Sequence, residues 1–255
     1  MKHAGILKYR IDEQIGEGAF GVVLAGKRLS DDLPVAIKRV EKRDATIDEF
    51  ILLQKVKGVP GCVQLLEFIE DKSTCYYVME RPDNCMDLLQ LICSDEEWDE
   101  DTCRDIFGKM VQATISCHKA GVLHRDLSED NFLIDLGNDT VQLIDFGGGA
   151  LLHDGEYTAG YGINIFAPPE WLTKETYHGV PATVWSLGIT LFSMAFQDFP
   201  FKNTDEVCRG ELHFPDIISP SLEELLKSML SIEPENRPKL AEILNHKWLK
   251  EDCGK

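Results

Sequence analysis

The sequence predicts an α+β fold in two lobes: a small β-rich lobe with one main helix over residues 1–82, and a larger, mainly helical lobe over 83–255. Three observations carry that expectation. Strand-like patterns come first and helical patterns follow, an order that separates a sheet from a helical layer. Pro82 interrupts regular strand pairing where the texture changes. The charge changes there too. Of 26 basic and 44 acidic side chains, residues 1–82 hold 13 of each, so the net −18 lies wholly in 83–255. A field of that sign repels nucleic acid and anionic membrane and attracts cations, basic peptides included.

In chain order, residues 9–15, 21–27 and 34–40 alternate or run apolar and β-branched between Gly-rich or Asp-rich turns, as strands do. Residues 46–56 shift to helical spacing, with Ile47, Phe50, Ile51 and Val56 expected to face inward. Strand character returns at 63–69 and 75–80. Long helical patterns follow at 101–119, 182–197, 221–230 and 238–245. Residues 176–197 contain no Asp, Glu, Lys or Arg, a length that would span a bilayer. Pro181, Thr183, Ser186, Thr190, Ser193 and Gln197 interrupt it and basic flanks are missing, so a buried core helix is expected instead. With 44% hydrophobic and 27% charged residues the chain has the composition of a soluble globular protein. Its eight cysteines show no CxxC pair and no zinc spacing, so reduced thiols in the cytosol or nucleus are expected. The first fourteen residues lack the apolar core of a signal peptide.

Gly16-Glu17-Gly18-Ala19-Phe20-Gly21-Val22-Val23 fits GxGxxGxV. Alone it is compatible with an ordinary hairpin turn. The residues after Gly21 read as strand rather than helix, so the loop is a β-turn-β flap whose glycines let backbone amides approach phosphate oxygens. Val35-Ala36-Ile37-Lys38 follows. A lysine in an apolar strand either reaches water or meets an anion, and Glu49 on the next helix is a carboxylate able to pair with it. His124-Arg125-Asp126-Leu127-Ser128-Glu129-Asp130-Asn131 precedes Asp145-Phe146-Gly147. Asp126 is spaced to accept a proton from an attacking hydroxyl, and Asn131 and Asp145 are hard oxygen ligands suited to magnesium.

In this order these motifs resemble those of a eukaryotic protein kinase domain, and the resemblance covers nearly the whole chain. It is closest to the PIM serine/threonine kinases. The residues carrying it are Glu80-Arg81-Pro82, Gly121 to Asp126, Gly149 to Leu152, Pro168 to Trp171, Tyr177-His178-Gly179 and Val184 to Ile189. The resemblance implies a two-lobed kinase fold, ATP and Mg²⁺ as cofactors, and transfer of the γ-phosphoryl to Ser or Thr hydroxyls. It makes Lys38, Asp126, Asn131 and Asp145 catalytic, with Asn131 and Asp145 on the metal. Nucleotide contacts would come from Ile15, Gly16, Glu17, Gly18, Ala19, Phe20, Gly21, Val23, Ala36, Lys38, Glu49, Met79 (the gatekeeper), Glu80, Pro82 and Leu133. Pro82 has no N–H to offer adenine. Asp87 and Asp130 fall where the family reads basic residues of a protein substrate, while a further acidic position of the family is Gln90. Glu170, in the APE-like motif Ala167-Pro168-Pro169-Glu170, and Arg237 would form a structural ion pair. A cytoplasmic or nuclear monomer that binds neither nucleic acid nor membrane is the family expectation.

Two positions depart from the pattern. Ser128 stands where the catalytic loop has a lysine, and Ile163 where the segment before APE has a threonine touching that lysine. Removing one preorganised donor from a charged transition state costs about 10²–10³ in rate. A catalytically weak or inactive kinase-fold binding module is therefore the alternative reading. The loop sequence HRDLSEDN does not match tyrosine kinases.

Overall fold

The computed structural model describes residues 5–18, 21–42, 44–94, 98–160, 165–214 and 218–251. Ala19, Phe20, Ile163 and the side chain of Ile47 lie outside the described residues.

Five strands form one antiparallel sheet: β1 (Tyr9–Gly18), β2 (Gly21–Arg28), β3 (Pro34–Glu41), β4 (Leu65–Glu70) and β5 (Thr74–Glu80), in the order β1-β2-β3-β5-β4. The period of two in β3 sorts its side chains. Val35 and Ile37 join Ile6, Tyr9 and Val78 in one cluster. Ala36, Lys38 and Val40 take the other face, where Val40 meets Leu52, Leu53 and Val56 of the segment beginning with α1 (Asp44–Lys55). That packing corrects the expected helix face. Ile51 is 42% exposed while Leu52 and Leu53 are buried. Glu49, Leu52, Leu53 and Val56 stand at i, i+3, i+4 and i+7, so the inward stripe is rotated from the one the run Phe50-Ile51-Leu52-Leu53 suggests. The strand expected at 63–69 starts at Leu65, because Val63 is bonded elsewhere: its N–H donates to the Leu143 carbonyl at 3.0 Å.

The large lobe opens with β6 (Cys85–Asp87), α2 (Leu88–Ile92), α3 (Glu100–Lys119) and β7 (Val122–Leu123). Asp99 caps α3 by accepting from the Thr102 N–H, and acidic residues in its first turn with His118 and Lys119 in its last suit the helix dipole. Strands β8 (Phe132–Asp135) and β9 (Thr140–Leu143) extend β6 into a three-stranded sheet. Short pieces follow: β10 (Ala150–Leu151), β11 (Glu156–Tyr157), α4 (Pro169–Lys174) and β12 (Tyr177–His178). Then comes α5 (Gly179–Phe196), with α6 (Thr204–Arg209), α7 (Pro220–Met229), α8 (Leu240–Leu244) and α9 (Lys247–Lys250) packed after it. Helix α5 is long and apolar enough to cross a membrane, yet 78% of it is buried within the lobe. Its hydroxyls are satisfied one turn back, Thr183 on Gly179 O at 2.9 Å and Thr190 on Ser186 O at 3.1 Å.

The lobes share a continuous apolar cluster that runs from Val40 to Trp248. The segment joining α1 to β4 is also fastened to the large lobe. Gly61 O accepts from the Leu143 N–H at 2.8 Å. Gly61 has φ +78°, and a Cβ there would lie 2.7 Å from the Ala113 Cβ on α3. Only glycine permits both the left-handed backbone and that approach.

Candidate active site

Register on the sheet brings the small-lobe residues together. Lys38 pairs with Val23 of β2 on one side and Tyr77 of β5 on the other, and Ala36 stands opposite Met79. Gly16 is opposite Val23, and Gly18 opposite Gly21 closes the β1–β2 hairpin. The three glycines differ in what requires them. A Cβ on Gly18 would meet nothing within 4 Å, so that backbone is open to an approaching ligand. A Cβ on Gly21 would fall 2.4 Å from the Arg39 carbonyl oxygen, at φ +137°. The sheet itself demands Gly21. Ile15 and Glu17 are exposed or nearly so, and Val23 and Ala36 are half-buried.

Lys38 is 3% exposed and Glu49 5%. The lysine Nζ donates to Glu49 Oε1 and to Asp145 Oδ1, each at 2.7 Å. One buried ammonium thus joins β3, α1 and the turn after β9. Burial pushes the Glu49 carboxyl up, opposed by Lys38. Burial acts on Asp145 in the same sense, but the Lys38 charge and hydrogen bond outweigh it and hold this carboxyl below the usual range. Asp145 adopts a left-handed backbone (φ 56°) and accepts from the Gly147 N–H at 3.0 Å, a strained conformation of the kind found at functional sites. Next to it, Phe146 is fully buried and meets the His124 ring edge-on at 4.9 Å.

The loop carrying Asp126 is held from below. Thr190 on α5 donates to the Leu127 carbonyl at 2.6 Å, and His124 Nε2 lies 2.8 Å from the Ile144 carbonyl. Asn131 Nδ2 donates to the Asp126 carbonyl at 2.9 Å and lies 3.4 Å from Ser128 Oγ. The protein around Asp126 desolvates its carboxyl and raises its pKa, with repulsion from Asp145 and Asp130 adding to the effect against His124 and Asn131. Arg125 bonds three carbonyls, Nε to Gly148 at 2.6 Å, Nη2 to Gly149 at 2.7 Å and Nη1 to Ala159 at 2.9 Å. Sequence reasoning missed this clasp and the Thr190 strut. The signal for Thr190 was present, since Thr183, Ser186, Thr190 and Ser193 recur at helical spacing in an otherwise apolar run.

Glu80 ends β5 and is exposed, and Pro82 O accepts from the Cys85 thiol at 3.1 Å. Asp87 lies opposite Leu133 in the β6–β8 pair. Its Oδ1 already caps α2 by accepting from the Gln90 N–H at 2.7 Å. Burial raises its carboxyl, and repulsion from the exposed Asp130 contributes. Glu170 and Arg237 meet as a bidentate pair at 2.8 and 2.7 Å.

His118 on α3 lies 3.4 Å from Thr183 Oγ1 through its Nε2, and burial, with a smaller contribution from His124, pushes its pKa down to about 4. The unfolded chain takes up that proton near pH 6.5, before the native state does. Stability should therefore fall as pH drops from about 6.5 toward 4, and this cost is absent above that window. Urea unfolding at pH 7 and pH 5 should show a difference on the order of 1–2 kcal/mol that His118→Gln removes. Equal pH slopes in the two proteins would rule this contribution out.

A protein kinase domain model matches residues 9–249. The chain belongs to the protein kinase family. As a kinase it is a transferase that acts on protein. It is 34% identical to the serine/threonine-protein kinase pim-2 of Danio rerio over 96% of this chain and 85% of that one. The serine/threonine-protein kinase prk-2 of Caenorhabditis elegans is 33% identical over 95% of this chain and 58% of its own length. The likeness is not confined to that group, since the Saccharomyces cerevisiae kinase PSK1 is 31% identical over 93% of this chain.

Proposed function

We propose that this kinase transfers the γ-phosphoryl of ATP to Ser or Thr hydroxyls in basic peptide contexts, as a monomer of the cytoplasm or nucleus. The observation that carries the reading is Lys38, held between Glu49 and Asp145 at 2.7 Å each, in a domain whose Asp126 loop is braced on α5. The residues present fit a magnesium–nucleotide complex. Gly18 leaves its backbone open, and Asn131 and Asp145 supply hard oxygen donors. Among the described residues no three His, Cys, Asp or Glu side chains converge, as suits an ion held by one or two protein ligands and substrate phosphates. Bound there, magnesium supplies charge neutralisation on the phosphates. Lys38 orients the phosphates, Ile15, Val23, Ala36, Met79 and Leu133 enclose the base, and the Asp126 carboxylate receives the hydroxyl proton. Asp87 and Asp130 attract basic side chains of the substrate.

The test is phosphoryl transfer to an Arg-rich serine peptide with Mg²⁺, compared with Asp126→Asn. The variant should be slower by about 10²–10⁴. Asp130→Lys should raise KM for the peptide and leave KM for ATP unchanged, an effect that shrinks as salt screens exposed charge. Unchanged peptide KM would take Asp130 out of the peptide site. Ser128 favours a second reading, a binding module of low activity, and equal transfer from wild type and Asp126→Asn would decide for it.

A further inference from the structure

The transfer site is short of positive charge. Asp126, Asp130 and Asp145 converge electrostatically on it, each raising or opposing the others, and the phosphates of a nucleotide would add to them. The nearby cations are committed. Lys38 binds Glu49 and Asp145, and Arg125 binds the Gly148, Gly149 and Ala159 carbonyls. His124 is fully buried, which holds it below its ordinary pKa and neutral. Among the described residues neither Asp126 nor Asp130 has an ion-pair partner.

Ser128 does not repair the deficit. It stands at the N-cap of the short turn Glu129–Asn131, yet its hydroxyl makes no cap hydrogen bond. Its one contact is Asn131 Nδ2 at 3.4 Å, too long for a strong bond. The side chain is half-buried and faces no opposing charge. A position bordering Asp126 is therefore small, partly open and chemically idle, beside carboxylates that have no partner.

We propose that the substrate supplies this missing cation: a Lys or Arg within two residues of the phosphoacceptor lies over Ser128 and neutralises the transferring phosphoryl. The inference rests on the kinase reading above. An extended peptide advances about 3.3 Å per residue, so positions up to two away lie within about 7 Å of the acceptor, a span the flexible stems of Lys and Arg cover. In the step itself the acceptor oxygen bonds phosphorus as the β–γ bridging bond breaks. ADP leaves with the bonding pair, the hydroxyl proton passes to Asp126, and the substrate cation keeps its protons and acts by charge alone. Distal basic residues, attracted to the acidic surface before transfer, act on KM. A cation set against charge developing during transfer acts on kcat. Ser128 becomes the residue that makes the rate depend on the sequence immediately around the acceptor.

The experiment compares serine peptides of equal net charge and identical distal arginines. They differ only in whether one lysine stands at −2, −1, +1 or +2, or far from the acceptor. Wild type should show kcat at least tenfold higher for one or more proximal positions, within the 10²–10³ range of a lost transition-state donor. Ser128→Lys should bring the distal-lysine peptide up and reduce that ratio to about twofold. Ser128→Lys with Ile163→Thr provides the same comparison with a hydroxyl partner restored. Wild-type kcat indifferent to lysine position, with transfer well above Asp126→Asn, overturns this inference and leaves the kinase reading intact. A ratio that persists in both Ser128 variants also overturns it, because the effect then arises elsewhere. Transfer no better than Asp126→Asn on every peptide overturns the kinase reading itself.

Discussion

Arg237→Ala should destabilise the protein by about 3–5 kcal/mol, the cost of leaving a buried charge without its partner. All five guanidinium N–H groups are used. Two go to the Glu170 carboxylate, and the rest go to the carbonyls of Ser231 at 2.8 Å, Pro181 at 3.1 Å and Ile232 at 3.2 Å. Its cationic face lies 5.0 Å from the Trp185 ring, and the two side chains are 0% and 6% exposed. Removing the arginine strands Glu170 in the first turn of α4 and frees three carbonyls at once. Thermal unfolding should come roughly 10 °C earlier. Glu170→Ala added to Arg237→Ala should recover part of the loss, since the pair shares one network. A single-variant cost below about 1 kcal/mol would contradict the account.

Lys38→Met should have the largest effect on rate. The ammonium does two things that methionine does not: it links β3 to α1 through Glu49, and it fixes Asp145. Without it two carboxylates face each other in a buried site, and α1 loses its tether to the sheet. Transfer should fall by at least 10²–10³, and Glu49 should ionise at higher pH than now. Lys38→Arg should not rescue, because a planar fork does not reproduce a point charge between two carboxylates. Activity within threefold of wild type in Lys38→Met would remove this residue from the site.

The site was legible where chemistry is local. A flap closed by glycines, a lysine in an apolar strand, and aspartates and an asparagine at fixed spacing depend on backbone pattern and residue type alone. Lys38 and Glu49 lie eleven residues apart on adjoining elements, so their meeting follows from strand alternation and helix phase. What depends on tertiary packing was not legible. The phase of α1 was misread at Ile51 because four apolar residues in a row allow more than one stripe. Val63 left the sheet for Leu143, a partner eighty residues away. Asp87 reads as a surface charge in sequence, but its Oδ1 caps α2. The Arg125 clasp uses backbone carbonyls, which no side-chain motif advertises.

The fastening at Gly61 has a mechanical consequence. The lobes are joined covalently at the hinge near Pro82 and by backbone hydrogen bonds where Gly61 and Val63 meet Leu143. Two fixed points define a line, and a body pinned along a line retains one rotation. Widening of the cleft is therefore a swing about that axis rather than a free separation. Displacement in such a swing grows with distance from the axis, so the tip of the β1–β2 hairpin travels farthest and the end of α1 beside Val56 hardly moves. The molecule breathes like a book on its spine, and its phosphate-facing edge is the loose edge of the page.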